Sequence, residues 1–178
     1  MSALRRPLVI ALALRAAIML VLAGGLLWAA GSDAEVVATI AATVILVSLL
    51  LSGAVMVWLA DLARKKSAPG AGWLTVQGAM VLLMGMVAPV LLIDDPLIHS
   101  AVVLWIFAGA HGLAGVLEIA AGVSKLAGGI SVAVAAALVL VILVRPTTEL
   151  LDFLGQAGLV IGLGGIGLAW AAVRRAIS

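Results

Sequence analysis

Residues 8–28 read LVIALALRAAIMLVLAGGLLW, an apolar run in which Arg15 is the one charged residue. An α-helix rises about 1.5 Å per residue, so about 20 residues cross the roughly 30 Å hydrocarbon core of a bilayer. The apolar residues are continuous and do not alternate with a period of two, which favours a helix over a barrel strand. This stretch therefore predicts a membrane-spanning α-helix.

The composition of the whole chain resembles that of this first stretch. Of its 178 residues, 66% are hydrophobic and 10% are charged, and the mean hydropathy is +1.37. A soluble globular domain is about half apolar and about a quarter charged, so we expect lipid to cover most of this surface. Cysteine is absent, which excludes disulfides and thiolate metal ligands.

Five further apolar stretches follow the first, and we predict an all-α integral membrane protein with six transmembrane helices in a single domain, residues 1–178. The N-terminal run is longer than the apolar core of a signal peptide, so we interpret it as a retained helix. The longest connection, at about residues 61–72, is too short for a soluble domain. The predicted spans are Leu8–Trp28, Val37–Leu59, Trp73–Ile93, Leu97–Val123, Gly129–Val144 and Phe153–Val173.

Charged residues between the spans alternate in sign and predict the orientation. Basic residues flank one set of helix ends: Arg5, Arg6, Arg64, Lys65, Lys66, Lys125, Arg174 and Arg175. The opposite ends carry one basic residue, Arg145, and the acidic residues Asp33, Glu35, Asp94, Asp95, Glu149 and Asp152. Positive loops stay cytoplasmic, so we expect both termini in the cytoplasm. The basic clusters are small and the net charge is only +2, which argues against nucleic-acid binding.

The six spans pair into three helical hairpins of the same sense, at about residues 8–59, 73–123 and 129–173. Equal intervals separate three pairs of positions: Arg15 and Gly53, Gln77 and Gly115, Ala127 and Gly165. A hairpin repeated three times is the simplest explanation. Many secondary transporters contain inverted repeats, each with an odd number of helices. Repeats of two helices in the same sense do not fit that architecture.

The segment AGAHGLAGVLEIAAGVSK, residues 108–125, closes the second hairpin, and Pro96 and Pro146 stand at predicted outer turns. A residue pair early in each hairpin reads Arg15-Ala16, Gln77-Gly78 and Ala127-Gly128. With the three hairpins, these features resemble the HdeD family of small bacterial membrane proteins, and Gly115–Gly122 is the closest match. The first hairpin departs from the family pattern, because its outer turn reads GSDAE without a proline. The resemblance implies a bacterial inner-membrane protein linked to acid or general stress tolerance, with no cofactor or catalytic residue.

Polar side chains inside the apolar spans are the candidate functional residues, because a charge at mid-membrane costs about 2.5–3.5 kcal/mol on insertion scales. Arg15, Gln77 and Glu118 lie at similar depths from the predicted cytoplasmic face. One interpretation is an intramembrane ion pair between Arg15 and Glu118, with Gln77 nearby. The alternative is that Arg15 extends to the inner headgroups, which leaves Glu118 as a neutral carboxylic acid.

His111 lies two helical turns before Glu118 and therefore shares a face of the fourth span with it. One interpretation is a proton path between the two residues, since imidazole titrates near neutral pH. The interpretation we favour is a packed histidine that donates a hydrogen bond to a neighbouring helix. His99, close to Asp94 and Asp95, is interpreted as an exposed loop residue, and no metal site is predicted.

Glycines mark the predicted helix contacts. Gly112 and Gly115 lie on the fourth span, and Gly158, Gly162 and Gly165 lie on the sixth. In membranes, small residues at such spacings let helices approach closely. The sixth-span run GLVIGLGGIG is not a dinucleotide loop, because it lies inside an apolar helix and lacks a preceding strand.

The sequence contains no recognisable nucleophile–base pair, phosphate-binding loop or metal cluster, so we predict a non-enzymatic protein without a cofactor. The first hypothesis is an HdeD-type membrane protein with a role in acid or general stress tolerance. The second is a channel or carrier for protons or a small solute that uses Arg15, His111 and Glu118. The third is an accessory or scaffold subunit. Membrane lipids, a second copy and another membrane protein are the expected partners.

Overall fold

The computed structural model describes residues 5–31, 34–68, 70–87, 96–144 and 150–177, and its side chains are described except at 34–39, 96–100 and 150–151. Within these ranges the chain forms six α-helices and no strand, which confirms the all-helical prediction. The helices are α1 (Arg5–Ala30), α2 (Ala34–Lys65), α3 (Ala71–Val87), α4 (Pro96–Ala120), α5 (Lys125–Val144) and α6 (Leu150–Ile177).

Five of the described helices are long enough and apolar enough to cross a membrane, namely α1, α2, α4, α5 and α6. The described part of α3 is a shorter apolar helix. Large apolar side chains are exposed on the outer surface, among them Val21, Leu83, Leu140 and Leu163. Apolar helices with apolar outer faces indicate a protein embedded in a membrane.

Several predicted features of the outer turns lie outside the described residues, together with the last part of the predicted third span, residues 88–93. The features are the charged residues Asp33, Asp94, Asp95, Arg145 and Glu149, and the proline Pro146. The side chain of His99 also lies outside the description.

α2 is longer than predicted, because it continues past Leu59 to Lys65 and shortens the connection to residues 66–70. Nζ of Lys65 lies 2.6 Å from Oδ2 of Asp61, one helical turn away. An acidic residue four positions before a lysine favours the helix. Nη2 of Arg64 donates to Oγ1 of Thr75 at 2.8 Å, which ties the end of α2 to the start of α3.

The helices form a closed ring in chain order. Each helix contacts the next one, and α6 returns to α1. The most extensive contacts are α1–α6, α2–α3 and α4–α5, which join different predicted hairpins. α2 also contacts α4 across the ring. Large apolar side chains fill the interior, including Leu12, Ile45, Leu104, Leu138 and Leu154.

The three most extensive contacts share one register. Gly53, Gly115 and Gly165 occupy equivalent positions in the predicted repeat. A Cβ atom built on each would meet an equivalent residue of the neighbouring helix, respectively Leu82 of α3, Val132 of α5 and Leu20 of α1. The equal intervals in the sequence therefore correspond to equivalent helix crossings around the ring.

One end of the ring collects the basic residues. Arg5 donates from Nε to the Arg175 carbonyl at 3.1 Å and from Nη2 to the Ala176 carbonyl at 2.7 Å, which joins the start of α1 to the end of α6. These carbonyls lie in the last turn of a helix, where intrahelical donors are missing. The α2–α3 and α4–α5 turns meet nearby, because a Cβ on Gly70 would lie 3.0 Å from the Ala121 carbonyl oxygen. A cavity connects the α4–α5 turn to the end of α6. We call this end of the ring, where the α2–α3 turn, the α4–α5 turn and the end of α6 meet, the basic end.

Candidate functional site

A buried ion pair joins α1 to α4. Nη1 of Arg15 donates to Oε1 of Glu118, and the two side chains are 5% and 3% exposed. Of the two interpretations of Arg15, the structure shows the paired one, since the guanidinium is buried against Glu118. Pairing offsets part of the cost of removing both charges from water.

Two more helices contribute side chains to this pair. Nε2 of Gln77, on α3, donates to Oε1 of Glu118 at 2.9 Å. Nη2 of Arg15 donates to Oγ of Ser131, on α5, at 3.2 Å. Gln77 and Ser131 are each 1% exposed. We call Arg15, Gln77, Glu118 and Ser131 the polar cluster, and it connects four of the six helices.

Helical periodicity explains why these polar side chains point inward. Arg15 lies one turn from Leu12 and one turn from Met19, and all three are buried. Gln77 is buried one turn before Val81 on α3. Residues three and four positions apart share a helix face. A polar residue at this spacing from apolar residues that face the core therefore faces the core as well.

Two acceptor atoms of the polar cluster have no hydrogen-bond partner among the described residues, Oε1 of Gln77 and Oε2 of Glu118. A buried acceptor without a partner costs about 1–3 kcal/mol. A cavity of about 10 Å³ lies beside the ion pair, lined by Arg15, Glu118, Ser124 and apolar side chains of α1 and α2. One water needs roughly this volume. The ion pair therefore has room for about one water on the side of the α4–α5 turn.

His111 is buried, but in the described part of the chain its hydrogen bond is made within its own helix. Its Nδ1 lies 3.2 Å from the carbonyl oxygen of Phe107, one turn earlier. The imidazole also stacks on the Phe107 ring, with centroids 4.0 Å apart and planes at 26°. The described hydrogen bond therefore stays within α4, where the Phe107 ring packs against the imidazole, and a hydrogen bond from His111 to a neighbouring helix stays a prediction.

The glycines predicted to pack helices lie at crossings inside the protein. A Cβ on Gly115 would lie 2.5 Å from the Gly128 carbonyl oxygen, and one on Gly112 would lie 3.3 Å from the Ala135 Cβ. Three glycines of α6 face α1, namely Gly158, Gly162 and Gly165. These glycine faces are thus occupied within the chain.

Ser131 is the one member of the polar cluster that the sequence analysis did not identify. It lies one turn after Ala127, the repeat position equivalent to Arg15 and Gln77, and so faces the same side of α5. That equivalence is the signal in the sequence that could have found it. Within the described ranges, no group of three or more His, Asp or Glu residues could hold a metal ion.

Comparison with protein-family models, with curated proteins and with solved structures gives no match for this chain. The polar cluster is therefore interpreted from its own geometry and chemistry.

Proposed function

We propose that this chain is a non-enzymatic, six-span protein of the HdeD type in a bacterial plasma membrane, with a role in acid or general stress tolerance. The observation that supports this proposal best is the polar cluster. Its ion pair and the two hydrogen bonds to it join four helices drawn from all three predicted hairpins. In this proposal the cluster holds the helix ring closed, and the closed ring is the active form.

The chemistry of the cluster explains how it would hold the ring closed. Arg15 and Glu118 each offset part of the cost of burying the other, so removal of either one leaves a buried group without its counter-ion. One buried contact would therefore hold four helices together, and no catalytic step is required.

The proposed topology places the basic end in the cytoplasm. Positive residues remain on the cytoplasmic side of membrane proteins, and the starts of α1 and α5 and the ends of α2 and α6 carry basic residues there. Six spans require α3 to extend beyond Val87 across the rest of the bilayer. The acidic turns would then face the opposite side.

Because the chain has no cysteine, single cysteines can test this topology. In intact cells, a membrane-impermeant maleimide is expected to label Gly31→Cys and Thr147→Cys, which are predicted to lie on the outer side. Ser67→Cys, at the basic end, is expected to react only after the cells are lysed. Labelling of Ser67→Cys from outside would contradict the orientation, and protection of Thr147→Cys would contradict six spans.

A second candidate function is a proton or small-solute carrier that uses Arg15, His111 and Glu118. The unpaired Oε2 of Glu118 and the adjacent water-sized cavity favour it. The hydrogen bond of His111 to its own helix weakens it, and the described cavity beside the ion pair has room for about one water and not for a larger solute. An accessory subunit would have to dock through other surfaces, because the packing glycines are occupied.

Survival and proton flux together test the proposed function. Expression in a bacterial host is expected to raise survival at low external pH, and Glu118→Gln and Arg15→Gln are expected to remove most of that gain at equal membrane levels. Lys65→Gln, which removes an exposed charge at the basic end, is the matched control and should protect like the wild type. Protection by Glu118→Gln equal to wild type would contradict the proposal. Proton flux in liposomes that Glu118→Gln abolishes would assign the carrier function instead.

A further inference from the structure

A groove runs along the outer face of the α1–α6 contact. It has a volume of about 350 Å³, and every residue that lines it is apolar. On α1 it extends from Val9 to Leu20, and on α6 from Ala169 to Ala176. Alanines form most of its floor, so the two helices leave a channel between them where larger side chains would fill the surface.

The length of this groove matches one leaflet of a bilayer. At about 1.5 Å per residue, the stretch from Val9 to Leu20 is about 16 Å long. Half of a hydrocarbon core of roughly 30 Å is about 15 Å. An acyl chain of the leaflet at the basic end could therefore lie along the whole groove.

The groove continues into a basic cavity at the basic end. This second cavity, of about 330 Å³, is lined by Arg5, Arg6 and Ile10, together with Val9 and Ala176, which line the groove as well. Arg5 is held by the last carbonyls of α6. Arg6 is exposed beside it. A guanidinium can bind two oxygens of a phosphate at once, so this basic cavity suits an anionic headgroup. We call it the mouth of the groove.

We propose that the α1–α6 groove binds one anionic phospholipid, with an acyl chain along the alanine floor and the phosphate at Arg6. The apolar groove matches the acyl chain, and the adjoining basic mouth matches the phosphate, in the order in which the two parts are joined in such a lipid. A second copy of this chain fits less well. Two copies that pair about a two-fold axis through the same groove would bring the arginines of both mouths together.

The bound lipid would stabilise the contact that closes the ring. Ala16, in the floor of the groove, follows Arg15 directly in α1, and its carbonyl lies 3.3 Å from a Cβ built on Gly165 of α6. A ligand that spans both helices binds the closed ring and not the separated helices, so its binding free energy adds to the stability of the ring. This inference does not depend on the role of the polar cluster.

Lipid titration in detergent tests the mouth of the groove. Phosphatidylglycerol is expected to raise the Tm of the purified protein, and native mass spectrometry is expected to show one retained lipid; phosphatidylcholine should do neither. Arg6→Gln is expected to weaken the apparent affinity for phosphatidylglycerol about fivefold. Lys65→Gln, which removes an equal charge at the same end but outside the groove, should leave the affinity unchanged.

A second pair of variants tests the floor of the groove. Ala17→Trp fills the groove and is expected to abolish retention of the lipid, whereas Ala136→Trp, at an exposed alanine of α5, should retain it. The proposal would be overturned if the two lipids had equal effects. Equal effects of Arg6→Gln and Lys65→Gln, or of the two tryptophan variants, would also overturn it. Stabilisation by inorganic phosphate alone would indicate a free-anion site. A dimer that Ala17→Trp dissociates would assign the groove to a second copy. Either result would also overturn the proposal.

Discussion

Replacement of Glu118 by glutamine is expected to lower the free energy of unfolding by about 3–5 kcal/mol, the usual cost of removing one partner from a buried ion pair. Glutamine has nearly the shape of glutamate, so a cavity contributes little to this loss. The cost arises because Arg15 keeps its charge in the interior, where its remaining described hydrogen bond is to Ser131. Unfolding in mixed micelles, titrated with a denaturing detergent, measures the loss.

The complementary variant, Arg15→Gln, is expected to cost less. The carboxyl group left behind at position 118 can take up a proton and become neutral, whereas a guanidinium left behind cannot lose one. Unfolding in mixed micelles should therefore show a smaller loss for Arg15→Gln than for Glu118→Gln. A loss that is equal for both variants would show that charge burial does not determine their stability.

The double variant isolates the interaction between the two residues. Its loss is expected to be smaller than the sum of the single losses by about 1 kcal/mol or more. Ser48→Ala is a suitable control partner for Glu118→Gln, because Oγ of Ser48 donates within its own helix to the Ile45 carbonyl at 2.6 Å. That control pair should be additive. Additive losses for Arg15 and Glu118 would contradict the ion pair and favour an arginine that extends to the headgroups.

The common level of the polar residues is predictable from the sequence, because positions along each helix can be counted from the flanking charges. This count assigns Arg15, Gln77 and Glu118 to one layer, and in the structure Glu118 contacts both of the others. The count does not determine which helix faces meet. The choice between a paired arginine and an arginine at the headgroups therefore required knowing that α1, α3 and α4 surround a common interior.

The neighbours of each helix were less predictable. Chain order predicts contacts within each hairpin, and those contacts exist, but the most extensive ones join different hairpins. Glycine explains the difference, because Gly53, Gly115 and Gly165 allow another helix to approach where a side chain would block it. Ser131 gave no signal of its own, since a serine in an apolar helix commonly bonds to its own backbone.

Substitution of Gly128 by alanine is expected to destabilise the protein by about 1–3 kcal/mol, the usual cost of overpacking. The new Cβ would lie 2.6 Å from the Gly115 carbonyl oxygen and 2.7 Å from Cγ1 of Ile119. The first of these atoms is backbone, so relief requires α4 and α5 to move apart. Gly129→Ala is the matched control, because a Cβ there would meet nothing within 4 Å. Alanine also favours a helix over glycine by about 1 kcal/mol, so the control should be neutral or stabilising.

The same substitution should also weaken the ion pair, because the α4–α5 crossing positions Glu118. A Cβ on Gly128 would lie 3.3 Å from the Glu118 Cβ, so a shift that relieves the overpacking displaces the carboxylate relative to Arg15. The double-variant cycle, repeated with Gly128→Ala present, is expected to give a smaller coupling between Arg15 and Glu118. With Gly129→Ala present the coupling should be unchanged. Gly128→Ala could instead lower stability and leave the coupling between Arg15 and Glu118 unchanged. That result would mean that α1 moves together with α4. The ring as a whole, and not the α4–α5 crossing, would then position the polar cluster.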